Sequence, residues 1–306
     1  MAPQSDKPRN NARKAAARAL QRANPGMSYL DALTQVSSTA QDRSDLPSLA
    51  ALLGITSAED VRARYARPHP DLTVPVGITA AGNHVSMNFD VVHSAPDALG
   101  PHGLIVGPNA LRFALTVATA LRATNGPTNL QVALVGSVRD RNAATIPVDQ
   151  TLLRIGTARA PANDSATADN FSSASWPEWI DAELQRRAEP LRDAGVHDVR
   201  ELDEVPPRLI LFVADDGTQS RDETMALVET VRCGRSLGVH VMLVLTAAVE
   251  KPRSEAKALI ANLSFVIGAG RGDGESVATL FVKNDATNFY PATLTDGLTQ
   301  WIAAAR

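Results

Sequence analysis

From Gly103 onward, short uninterrupted apolar runs alternate with helical stretches, and no other feature of the sequence limits its fold as strongly. Leu104–Val106, Leu130–Val135, Leu209–Val213, His240–Leu245 and Leu263–Ile267 read as strands. A strand with one wet face alternates polar and apolar residues, whereas a strand covered on both faces is apolar throughout. Between these runs, Ala110–Leu121, Trp176–Asp193, Asp222–Leu237 and Ser254–Asn262 have helical spacing, and Ala194-Gly195 closes the second of them. Such an alternation implies a mostly parallel sheet with helices on both faces. Glu275–Phe281 and Leu294–Ala304 read as further short helices. Thr157–Ser175, rich in Ala, Ser, Asn and Asp, reads as a mobile loop.

This α/β domain is expected to begin near Asp45. Leu46, Leu49, Leu52 and Leu53 have helical spacing ended by Gly54, and Ser57 opens a second helix running through Val61 to Tyr65. Leu72–Ile78 and His84–Val91 alternate around Ala81-Gly82-Asn83 and predict a β-hairpin ahead of the parallel strands. Residues 45–306 are therefore one domain, and residues 1–44 are a basic helical arm and linker. Within the arm, Asn11–Ala23 is alanine-rich and helical. Ser28 caps a short second helix carrying Tyr29, Leu30, Leu33 and Val36, and residues 37–44 form a polar linker.

Charge is unevenly spread. The chain of 306 residues has a net charge of −3, yet residues 1–24 carry six cations against Asp6 alone. Lys14, Arg18 and Arg22 share one helical face. With Arg13 they are the candidate DNA contacts, through salt-sensitive and sequence-blind pairing to phosphates. The rest of the chain is acidic and excludes a nucleic-acid surface there. No apolar run is long enough to cross a bilayer, and no apolar segment follows the basic N-terminus as in a secretory signal. A lone Cys233 leaves no internal disulfide. The expectation is a cytoplasmic protein without membrane insertion.

Several motifs in order give the chain a recognisable look. Val74-Pro75-Val76-Gly77-Ile78, then a hairpin, then Gly100-Pro101-His102-Gly103-Leu104-Ile105-Val106-Gly107 resembles the entry into the FtsK/SpoIIIE-type ATPase domains of type VII secretion. Glu183-Leu184-Gln185-Arg186-Arg187 is similar to that family's EMxRR helix. Leu209–Asp216 stands where the family has its Walker B strand, and Gly234-Arg235-Ser236-Leu237-Gly238-Val239-His240 is similar to its GRSLGVH segment. The resemblance covers Leu46 to Tyr290. It implies a RecA-like P-loop NTPase fold and a role connected with type VII-like secretion.

The departures from the family fall on its nucleotide contacts. A phosphate loop needs G-x-x-x-x-G-K-[ST], in which backbone N–H groups cradle phosphate, the lysine reaches the terminal phosphates and the hydroxyl holds magnesium. Counted from Gly107, those last three places hold Arg112, Phe113 and Ala114. A shorter alignment leaves Gly107-Pro108-Asn109 as the whole turn, and Pro108 has no N–H to donate. No lysine lies between Lys14 and Lys251. Asp215 and Asp216 keep half of Walker B, but the resemblance expects Glu in the second place, and the shorter Asp216 sets the carboxylate back from an attacking water. Thr246 keeps the start of the [ST]QR sensor, but Ala247 and Ala248 follow it.

These departures favour a binding module over an enzyme. Gly107, Pro108, Asn109, Asp215, Asp216 and Thr246 are then the remnant of a nucleotide site, with no catalytic residue and no cofactor. Phe113 and Arg112 are candidates for a partner-binding rim, together with Gly107, Pro108 and Asn109. By resemblance, the partner is a protein: a secretion ATPase or the tail of a secreted substrate. An oligomer is compatible with this reading. The alternative is a nucleotide-binding translocase that takes ATP and Mg and acts on DNA. Other features carry less. Gly268–Gly274 fails the G-x-G-x-x-G spacing and reads as a turn, with weak anion binding or a partner-facing role as alternatives. The six histidines form no metal-ligand pattern, and His102 and His240 read as packing residues. Cys233 reads as core.

Overall fold

The computed structural model describes residues 18, 28, 46–67, 72–89, 98–138, 150–155, 175–215, 220–246, 259, 262–270, 277–282 and 285–306. The strands are β1 (Thr73–Ile78), β2 (His84–Asn88), β3 (His102–Val106), β4 (Leu130–Val138), β5 (Gln150–Ile155), β6 (Arg208–Asp215), β7 (Val239–Leu245), β8 (Phe265–Ala269), β9 (Ala278–Val282) and β10 (Asp285–Pro291). The helices are α1 (Leu49–Leu53), α2 (Ala58–Tyr65), α3 (Ala110–Thr124), α4 (Trp176–Ala194), α5 (Arg221–Cys233) and α6 (Asp296–Ala305). The strands form a single sheet in the order β2-β1-β10-β9-β8-β3-β7-β6-β4-β5. From β8 to β5 all neighbours are parallel. From β8 to β2 all are antiparallel.

The apolar strands divide their side chains between two cores, as burial on both faces requires. Ile210, Phe212 and Ala214 of β6 and Met242 and Val244 of β7 face α3 and the small helices. Leu209, Leu211 and Val213 of β6 and Val239, Val241 and Leu243 of β7 face α4 and α5. Helix α3 carries no acidic residue and buries almost its whole length, which its Ala-rich, charge-poor sequence permits. Helix α4 buries Trp176, Ile180, Leu184, Arg187 and Leu191, a stripe at helical spacing. Both α4 and α5 begin in a capping box, Ser175 with Glu178 and Ser220 with Glu223. The Trp176 Nε1–H donates to Glu223 Oε1 at 3.1 Å and ties the two helices together.

Three sequence expectations change. Glu275–Phe281 is not a helix, because Ala278–Val282 is strand β9. Its residues alternate, with Ala278 and Leu280 buried and Phe281 exposed, and it pairs with β8 and β10. The hairpin β1-β2 is not a separate lead-in. It extends the same sheet, because β1 pairs with β10 through Gly77↔Pro291 and Ile78↔Tyr290. Strands β5 and β10 have no counterpart in the sequence reading. The predicted helix 254–262 and the long loop 157–175 lie almost wholly outside the described residues, as does the arm apart from Arg18 and Ser28.

The segments that carry the family resemblance serve the fold at the amino ends of the strands. Arg187 is fully buried, donates to Glu183 Oε1 at 2.7 Å and to the Leu237 carbonyl at 3.2 Å, and so joins the ELQRR helix to the GRSLGVH turn. The Val199 N–H donates to Ser236 O and the Leu209 N–H to Gly238 O, which pins that turn beneath β6. His102 and His240 are packing residues, 3% and 1% exposed. Burial pushes the His102 imidazole down to about 4; the Val231 carbonyl opposes the shift and the Arg235 charge adds to it. That carbonyl gives no hydrogen bond of normal length, since Nε2 has no partner. Nδ1 accepts the Val241 N–H at 3.1 Å, which leaves the ring proton on Nε2. Burial, then the charge of Arg208, pushes His240 down to about 3. Cys233 is half-buried rather than core, with its thiol donating to the Glu229 carbonyl.

Candidate functional site

The carboxyl ends of the parallel strands bring the sequence-predicted residues into one row. Val106 of β3 pairs with Leu245 of β7, and Leu245 pairs with Asp215 of β6. On the other side Val106 pairs with Gly268 of β8. Gly107 and Thr246 follow directly, so Gly107, Thr246 and Asp215 stand side by side at the ends of adjacent strands. Crevices outside the carboxyl ends of parallel strands are where α/β proteins bind ligands. Asp216, Ala247 and Ala248 lie outside the described residues.

The hydrogen bonds of the turn decide what it can hold. The Gly107 N–H donates to the Leu245 carbonyl at 3.1 Å, and the Asn109 N–H donates to the Ala269 carbonyl at 3.1 Å. The Ala110 N–H donates to Gly107 O at 3.0 Å, and Pro108 has no N–H. Residues 107–110 thus direct every backbone donor they own into the protein. Gly107 has φ +126°, and a Cβ there would lie 2.7 Å from the Ala269 carbonyl oxygen. Its glycine is needed for close approach of the turn to β8, whatever else it once served. At the other end of the row, the Asp215 carbonyl accepts the Thr246 N–H at 3.2 Å, and Asp215 itself is half-buried. Gly270 lies under the Asn109 side chain and donates its N–H to the Val277 carbonyl. The described part of the Gly268–Gly274 segment is therefore packed rather than a loose turn.

Beside this row, on the α3 face of the sheet, lies a small cleft of about 70 Å³, partly open to solvent. Its walls come from three parts of the chain. The first turns of α3 give Asn109, Arg112, Phe113 and Thr116; β8 gives Ala269 and Gly270. The far wall is Leu46 with Val277 and Pro291–Thr293. Phe113 belongs to the floor and not the rim: it is 2% exposed and meets the Phe289 ring edge-on at 5.8 Å. Helical periodicity turns it inward, three residues after Ala110 on the face that meets the sheet. Arg112, one residue earlier, is exposed on the rim, as is Asn109. Gly107 and Pro108 were expected in the rim but do not line the cleft. Sequence reasoning missed the far wall, because it depends on β9 and β10. The β-branched and aromatic residues at Thr279, Phe281 and Val282 were the available signal.

Among the described residues no group of His, Cys, Asp and Glu could hold a metal ion, and no helix is long and apolar enough to cross a membrane. Of the candidate DNA contacts, Arg18 is helical and exposed, and Arg13, Lys14 and Arg22 lie outside the described residues.

No protein-family model matches the chain. The ESX secretion system protein EccC of Thermomonospora curvata is 28% identical over 222 residues, which is 66% of this chain and 16% of that protein. The ESX-4 secretion system protein EccC4 of Mycobacterium tuberculosis is 29% identical over 201 residues, 59% of this chain and 15% of that one. The chain therefore spans only a small part of the curated relatives it matches. Among solved structures, the cytoplasmic domain of the T. curvata type VII secretion ATPase EccC superposes with a TM-score of 0.65 at 20% identity, over 85% of this chain and 34% of that one. ATPases 2 and 3 of EssC from Geobacillus thermodenitrificans give 0.52 at 14% identity, over 79% and 51%. ATPases 2 and 3 of T. curvata EccC, in complex with a signal sequence peptide, give 0.50 at 14% identity, over 82% and 43%.

Proposed function

We propose that this chain, a distant homologue of the EccC and EssC ATPase domains of type VII secretion, is a partner-binding domain that does not hydrolyse ATP. The observation that carries the reading is the internal use of every N–H in residues 107–110. A triphosphate carries several negative charges, and a phosphate loop neutralises them with inward N–H groups and a lysine. Here the turn's own donors and the lysine are both lost: the Gly107, Asn109 and Ala110 N–H groups bond Leu245, Ala269 and Gly107, and no lysine lies between Lys14 and Lys251. Opening the turn would strand the Leu245 and Ala269 carbonyls at about 1–3 kcal/mol each. A magnesium–triphosphate therefore does not fit the groups present.

The cleft beside the turn supports the positive half of the reading. It is concave, has an apolar floor in Phe113, Ala269 and Ala292, and has a few polar groups at its mouth. That is the usual make-up of a site for a peptide or small ligand. A related EccC structure holds a signal sequence peptide. We assign the cleft to an apolar segment of a protein partner, either a secretion ATPase or the tail of a secreted substrate.

The second reading is a nucleotide-binding translocase, and the row Gly107–Thr246–Asp215 is the observation in its favour. One titration separates the two. Labelled ATP with magnesium is added to the full chain and to the Asp215→Ala/Asp216→Ala variant, and bound nucleotide and released phosphate are measured. The binding-domain reading expects no saturable binding up to millimolar ATP and equal phosphate release from both. Saturable binding, or turnover above that of the double variant, would falsify it.

A further inference from the structure

We draw no further inference here: the strongest candidate, the partly exposed apolar sheet face of β9, β10 and β1 that carries Phe281, Tyr290 and Ile78 on the side away from α3, carries nothing because nothing in the structure shows what covers it.

Discussion

Mild acid should destabilise this domain before its carboxylates titrate. His102 and His240 are buried as neutral rings, with imidazoles pushed down from 6.5 to about 4 and about 3. A group whose folded value is depressed in this way binds more protons when unfolded, so stability is complete above the unfolded value and falls as the pH drops through it. The window opens near pH 6.5 and runs down to the folded values. At pH 5 each ring costs about 1.36 kcal/mol for each of 1.5 pH units, about 2 kcal/mol apiece and about 4 kcal/mol together. That is a large share of the usual 5–15 kcal/mol of a folded domain. The lowered carboxylates Glu183 and Asp198 act in the same direction but only below their ordinary values of 4.5 and 3.8, so the interval from pH 6.5 to 5 isolates the histidines. For His102 the bond network explains the resistance to charging: protonating Nδ1 would set it against the Val241 N–H. Urea unfolding followed by tryptophan fluorescence at pH 7.5, 6.5, 5.5 and 5 measures the loss. His240→Leu should remove about half of the pH slope at little cost at pH 7.5, since neither ring nitrogen has a partner to lose. His102→Asn, which retains an acceptor for Val241, should remove the rest. A stability that is flat from pH 6.5 to 5, or a slope that survives both substitutions, refutes the reasoning.

Three further outcomes follow from the geometry. Gly107→Ala should destabilise the domain by about 1–3 kcal/mol in urea, because its Cβ would meet the Ala269 carbonyl and its φ is positive; a neutral result would mean the turn is not held against β8. Phe113→Ala should cost about 3–5 kcal/mol as a floor residue, while Arg112→Ala on the rim should stay within about 0.5 kcal/mol, and comparable losses would contradict the assignment of floor and rim. Arg187→Ala should cost about 1–3 kcal/mol by removing the buried ion pair and the bond to the Leu237 carbonyl, since Glu183 keeps Arg186, and Arg187→Met clearly less; an Ala variant as stable as the parent in a urea titration would show that the ELQRR–GRSLGVH joint is not structural.

The sequence alone determined the parallel half of the sheet and most of its helices. Burial on both faces leaves a strand no polar residue, so Leu209–Val213 announces itself without reference to its neighbours. Ser57, Gly54 and Gly195 likewise mark helix ends by local chemistry. The absence of any lysine between Lys14 and Lys251 was also plain, because it needs no fold to be read. The tertiary structure decided the rest. Ala278–Val282 fits a helix or a strand by composition, and only pairing with β8 and β10 makes it a strand. That pairing builds the far wall of the cleft and turns a bare helix start into a concave site. Phe113 changed from rim to floor for the same reason, since a helix shows its inward face only once the sheet beneath it is in place. The N–H groups of Gly107 and Asn109 were spoken for by carbonyls on β7 and β8, strands far along the chain. Local sequence sets which conformation a segment prefers, but the hydrogen bonds that use up a donor are made across the sheet, and these only the folded chain brings together.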